Sequence, residues 1–233
     1  LLHHGMRLAL SGVAIVLGVG FVVGTLIFTD TLNATFTNLF SGSTSDVIVA
    51  PAEVVGDSAQ IGTVATVPAA TLGQVRAVPG VASAVGAITA DGIAIVGSDG
   101  TVLGGRGAPQ MGVNWVDDAP GATLVSGRAP RGDGEVLVDA ASAQRAGYGD
   151  GDLVAMVGPQ GPFSARLVGT FHFGTTGNLA GATISAFDTG TAQRLLLAGA
   201  DAFTQIDIRA DRGVSQDGLA ASVAQALGPG VEV

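Results

Sequence analysis

Phe203 to Val233, FTQIDIRADRGVSQDGLAASVAQALGPGVEV, carries the clearest folding signal in the chain. Phe203 to Ala210 alternates apolar and polar residues, the mark of a half-buried strand. Ser215 then stands where an N-cap belongs, and Leu219, Val223 and Leu227 recur at i, i+4 and i+8. Gly228-Pro229-Gly230 ends that helix, and Val231 begins a last strand. The same order occurs upstream. Asp46 to Ala50 (DVIVA) reads as a buried strand. Pro68 to Val78 (PAATLGQVRAV) reads as a helix with proline in its first turn, Leu72, Val75 and Val78 on one face, and Pro79-Gly80 as its stop. Val81 to Thr89 follows as a strand, joined to another at Gly92 to Val96 by a turn at Ala90-Asp91. Ser98-Asp99-Gly100 is a further hairpin-type turn.

Two strand–helix–strand units make a split βαβ, ferredoxin-like layer. The expected fold is therefore α+β, with one subdomain assembled from residues 46–100 and 203–233. Residues 101–202 form a β-rich subdomain inserted between the halves. Its strands are expected at Glu135 to Asp139, Asp152 to Val157, Phe163 to Thr170 and Ala182 to Ala186. Short helices fit Ala140 to Ala146 and Thr189 to Leu197, and Gly158 to Pro162 reads as a hairpin tip.

The N-terminal part is of another kind. Leu8 to Phe28 (LALSGVAIVLGVGFVVGTLIF) is 21 residues without a charge. At about 1.5 Å per residue it spans roughly 30 Å, the thickness of a bilayer's hydrocarbon core. A cleaved signal peptide has a shorter apolar stretch followed by a small-residue cleavage site, and none follows here. A soluble helix rarely stays apolar all round for this length. The segment reads as a retained transmembrane helix in contact with membrane lipid. Arg7 precedes it, the next basic residue is Arg76, and acids lie between. Positive charge stays inside, so residues 1–7 are cytoplasmic and the chain beyond Phe28 is extracytoplasmic. Ala14, Gly18, Gly20 and Gly24 give small-residue spacings suited to close helix packing. Residues 29–45 continue as a stalk helix and linker, with Leu32, Phe36, Leu39 and Phe40 on one apolar face.

Composition bounds the chemistry. The 233 residues include 47% hydrophobic and only 12% charged side chains, which excludes a disordered chain. A net charge of −9 argues against nucleic acid as a partner. With no cysteine there is neither disulfide nor thiolate metal site. All ten basic residues are arginine, so a P-loop is excluded and any ATP must be hydrolysed by another polypeptide. Asp117-Asp118 is the only adjacent acid pair, and reads as a solvated turn before Pro120. His172 lies between Phe171 and Phe173 and reads as a packed or half-exposed side chain. Trp115 reads as a core anchor. Gly149-Asp-Gly-Asp152 lacks the ligand spacing of a calcium loop and reads as a turn. Arg128 is placed to pair with Glu135 or Asp139. No catalytic cluster, metal site or cofactor is expected.

Several stretches taken together carry a resemblance. They are GTLIFTDTL at residues 24–32, Val78-Pro-Gly-Val81, Gly112-Val-Asn-Trp115, SGRAPRGDGEVLVD at 126–139, Ala143-Gln-Arg-Ala-Gly147 and Gly151-Asp152. The pattern resembles the MacB-like periplasmic core domain of FtsX/MacB-type ABC transporter permeases, in the branch of high-GC Gram-positive bacteria. The absence of lysine suits a GC-rich genome. The resemblance implies a membrane helix, a large outer domain and three further membrane helices. It also implies a cytoplasmic ABC ATPase subunit and a second permease copy as partners. ATP-driven motion would pass through the stalks to the outer domains. The start at Leu1 and the stop at Val233 fit a piece of a longer permease. A membrane-anchored binding or sensor module without transport, and a secreted enzyme behind a cleaved leader, are the alternatives.

Overall fold

A computed structural model of the chain describes Val19 and residues 45–52, 64–104, 108–117, 122–173, 182–228 and 230–233. The expected membrane helix at 8–28 and stalk at 29–44 lie outside the described residues, Val19 apart. Ser43–Val233 is one compact unit, separate from Leu1–Gly42. Its elements run β1 (Val47–Pro51), β2 (Val67–Pro68), α1 (Ala70–Arg76), β3 (Val81–Ala87), β4 (Thr89–Asp91), β5 (Ala94–Val96), β6 (Gln110–Asn114) and β7 (Ala122–Gly127). They continue through β8 (Glu135–Asp139), α2 (Ala140–Ala146), β9 (Leu153–Gly158), β10 (Gly161–Phe173), β11 (Thr183–Phe187) and α3 (Thr189–Leu196). The last are β12 (Ala202–Phe203), β13 (Gln205–Ala210), α4 (Gln216–Leu227) and β14 (Val231–Glu232). The fold is a mixture of sheets and packed helices, of the α+β class.

The first layer is a four-stranded sheet in the order β14-β1-β13-β3. Every neighbouring pair in it is antiparallel. Period-two alternation drives Val47 and Val49 of β1, and Ile206 and Ile208 of β13, to one face. There they meet Val75 of α1 and Leu219 and Val223 of α4, all fully buried or nearly so. Ser215 caps α4 through its hydroxyl, which accepts from the Gly218 N–H. Each such apolar side chain contributes about 1.5–3 kcal/mol by leaving water.

The second layer has eight strands, in the order β4-β6-β11-β8-β10-β9-β5 with β7 paired to β10. Helices α2 and α3 bury Ala143, Ala146, Ala192 and Leu196 in the same core as Val136, Val138, Val154 and Met156 of the sheet. That core is continuous with the one beneath the first layer. A smaller core, Leu137, Phe171, Ile184 and Ala186, lies apart from it, with Trp115 and Phe173 packed against it. A bulge in β10 makes both possible. The register against β8 slips between Leu167 and Gly169, so Leu167 enters the large core and Phe171 the small one.

The structure departs from the sequence reading in five places. Pro68 is not in the first turn of α1; it pairs with Ala202 in a two-stranded ladder, and the helix begins at Ala70. Ala90-Asp91 is not a turn but part of β4, which pairs with β6, because the chain changes sheets at Ile88. The strand read at Phe203 to Ala210 is broken at Thr204 into β12 and β13. Strand β6 escaped the sequence reading: Gly112 interrupts its apolar pattern. So did β7, which ends in the turn-like Ser126-Gly127. Among the described residues, no helix is long and apolar enough to cross a membrane.

Candidate functional site

The eight residues singled out for helix packing and the stalk (Ala14, Gly18, Gly20, Gly24, Leu32, Phe36, Leu39 and Phe40) lie outside the described residues. The structure therefore bears on the other motif, SGRAPRGDGEVLVD, which turns out to be a built and internally bonded connection from β7 to β8.

Arg128 grips Glu135 with both arms of its guanidinium: Nη1 donates to Oε2 at 2.7 Å and Nη2 to Oε1 at 2.6 Å. The Arg131 N–H adds a third bond to Oε2 at 2.8 Å. Arg128 foremost, then the Arg131 N–H, hold the Glu135 carboxyl down to about 2 against an ordinary 4.5. The same pairing raises the guanidinium of Arg128. Asp139, the other partner considered for Arg128, is occupied elsewhere. Its Oδ1 caps α2 by accepting from the Ser142 N–H at 2.8 Å, and its Oδ2 accepts from the Ile184 N–H at 2.9 Å. Only 3% of Asp139 is exposed. A carboxylate with both oxygens spent on backbone donors is a structural brace.

The remaining sequence candidates resolve in the same direction. The indole of Trp115 stands edge-on to Phe171 with centroids 5.5 Å apart, and its N–H donates to Asp117. Asp117 is thus the polar end of a half-buried tryptophan; Asp118 lies outside the described residues. His172 points to solvent on β10, opposite Thr123. Asp152 accepts from the Gly149 N–H at 2.8 Å, so Gly149 to Asp152 is a turn bonded to itself. Among the described residues, no three of His, Asp and Glu are grouped to hold a metal ion.

Apolar side chains do reach the surface. Leu153 is 62% exposed on β9 and Val102 56% exposed beside β5, with Val157 also exposed nearby. On the first sheet, Ile48 is 46% exposed and stands beside Asp207, whose carboxyl burial pushes up. The sequence reading did not single out Asn114 and Thr204, which join the two layers. Asn114 lies in the quoted Gly112-to-Trp115 stretch, but nothing local marks its role.

Among the described residues, the architecture is two large sheets and a two-stranded ladder joined by braced loops. A family model for the MacB-like periplasmic core domain matches residues 8–226. The chain belongs to this family. Two solved structures agree in fold with this MacB-like core. The periplasmic region of MacB from Actinobacillus actinomycetemcomitans is similar at 16% identity, with a TM-score of 0.51, covering 81% of this chain and 85% of that one. The extracellular domain of the noncanonic ABC-type transporter YknZ from Gram-positive bacteria is similar at 10% identity, with a TM-score of 0.54, covering 78% and 91%. No curated protein matches. In the MacB-like core, the SGRAPRGDGEVLVD motif works as bracing between β7, β8 and α2.

Proposed function

We propose that this chain is the first membrane helix and the outer domain of an ABC transporter permease, and that it is non-catalytic. A separate cytoplasmic ATPase subunit supplies the energy, and a second permease copy completes the unit. Residues 8–28 anchor it in the plasma membrane, and the stalk at 29–45 carries motion to the extracytoplasmic domain for export or extraction of a substrate. The observation that carries this reading is the family match, which begins at residue 8 and so takes in the apolar segment together with the outer domain. A chain without lysine has no P-loop of its own, which agrees with an ATPase in another polypeptide.

Within the domain, the order β14-β1-β13-β3 with antiparallel neighbours supports a split βαβ, ferredoxin-like layer. The division into 46–100 with 203–233, and 101–202, belongs to the same proposal, save that β4 and β5 go with the inserted part. Strands β4 and β5 pair in the larger sheet, so the chain leaves the first layer at Ile88.

The test is a rigidity break in the stalk. Thr35→Pro, in the complete permease reconstituted with its ATPase, removes the N–H that a stalk helix would donate from residue 35 to the carbonyl of Thr31. ATP hydrolysis is expected to persist while transport is lost. Transport at the parental rate would overturn the stalk's role.

A further inference from the structure

The two layers are joined by two chain crossings that lie side by side. The outgoing one is Ile88, the single residue between β3 of the first layer and β4 of the second. The returning one comes back from α3 through β12, which pairs with β2 in the two-stranded ladder, and enters the first layer at Thr204, just before β13. A one-residue switch between sheets breaks the ladder on both sides of it, and a free break of that kind makes a hinge.

Here the break is bridged by side chains. Asn114, at the end of β6, accepts the Ile88 N–H on Oδ1 at 2.7 Å and donates its own backbone N–H to the Ile88 carbonyl at 3.2 Å. Its Nδ2 donates to the Gly86 carbonyl at 2.9 Å and reaches the Thr189 hydroxyl at 3.3 Å. One amide thus continues the edge of β3 from within the other sheet. Thr204 closes the opposite side. Its backbone N–H and its hydroxyl both donate to the Ala87 carbonyl, at 2.9 and 3.0 Å. The same hydroxyl accepts from the Thr89 N–H at 3.0 Å. Phe203 beside it lies over Gly86, where an added Cβ would come within 2.4 Å of its ring. The side chain of Ile88 is fully buried beneath.

We infer that Asn114 and Thr204 form a clasp around Ala87–Thr89 that locks the two sheets into one rigid body, and that opening it frees a hinge at Ile88. Both are positioning residues. Between them they occupy the carbonyls of Gly86 and Ala87, both backbone groups of Ile88 and the Thr89 N–H, the groups a bend would have to release. Motion imposed on either layer then reaches the other undiminished, whatever the domain's cargo.

The test is a distance distribution between two spin labels in the full chain in detergent. The chain has no cysteine, so Gln144→Cys on α2 and Ala221→Cys on α4, both exposed, supply the only thiols. The parent is expected to give one narrow distribution. Thr204→Val keeps the shape of the side chain and removes both hydroxyl bonds. It is expected to broaden the distribution about twofold, and to speed exchange of the Thr89 amide about tenfold. Asn114→Ala should do the same for the Ile88 amide. Thr204→Ser, which keeps the hydroxyl, should restore the parental width. A broad distribution in the parent would overturn the rigid body, and a Thr204→Val width equal to the parent's would overturn the clasp.

Discussion

Gly127 and Gly169 face each other across β7 and β10 at a separation no other residue pair allows. A Cβ on Gly127 would lie 2.0 Å from the Val168 carbonyl oxygen, and one on Gly169 would lie 2.2 Å from that of Ser126. Both obstacles are backbone, so neither swings aside. Gly127 also holds a φ of 71°, which side-chain-bearing residues adopt at a cost. The pair sits at the bulge that sends Leu167 and Phe171 into different cores. Gly169→Ala is therefore expected to destabilise by about 3 kcal/mol or more, through overlap and forced displacement of β7. The single tryptophan, packed on Phe171, reports the unfolding midpoint by fluorescence in urea. A variant with the parental midpoint would show that β7 moves away at no cost.

The Arg128–Glu135 pair gives stability a dependence on acid. Glu135 is held at about 2 in the folded chain against 4.5 ordinarily. A carboxylate with a lowered folded value contributes stability above its unfolded value, and loses it as pH falls through the folded one. The window is thus from about 4.5 down to about 2. With 47% of the Arg128 side chain exposed, the effect is softened by solvent. Glu135→Gln is expected to melt below the parent at neutral pH, with the gap closing across that window. A gap unchanged by acid would assign the loss to packing instead.

The parts of this fold that could be read from sequence are those whose signal is local. Asp139 ends a β-branched strand and caps the next helix, so the boundary at Ala140 is written in adjacent residues. Ser215 and the apolar spacing after it define α4 in the same way. What stayed hidden has a tertiary cause. Gly112 interrupts β6 because Ile93 and Leu196 fill the space a Cβ would take, each within 2.7 Å. Ser126-Gly127 looks like a turn because the glycine answers to Gly169, 42 positions away. The sheet change at Ile88 depends on Asn114 and Thr204, neither of them a neighbour in sequence. Of the candidate sites, the stalk and helix-packing residues were legible only as an apolar pattern, and they lie outside the described residues.

Asp139 carries two donors that have no other acceptor, so its removal costs more than a lost cap. Asp139→Ala forfeits the Ser142 bond, about 1 kcal/mol for an N-cap. It also strands the Ile184 N–H in the interior, about 1–3 kcal/mol more. The expected sum is about 3 kcal/mol, seen as a lower urea midpoint. Asp139→Asn keeps one carbonyl oxygen and should fall between the two. An alanine variant as stable as the asparagine one would mean that the Ile184 bond contributes nothing.

Thr183 offers the opposite case, a substitution that should stabilise. Its side chain is fully buried on β11, and its hydroxyl has no hydrogen-bond partner among the described residues. Ser185, two positions on and on the same face of the strand, is in the same condition. A buried hydroxyl without a partner has given up water and received nothing, which costs about 1–3 kcal/mol. Valine fills the same volume with a methyl group in place of the hydroxyl, and favours a strand at least as well. Thr183→Val is expected to raise stability by about 1 kcal/mol, part of the penalty being offset by imperfect packing of the new methyl group. The measurement is the urea midpoint of the variant against the parent. A lower midpoint would reveal that the hydroxyl is bonded after all, to a buried water between β11 and the helices.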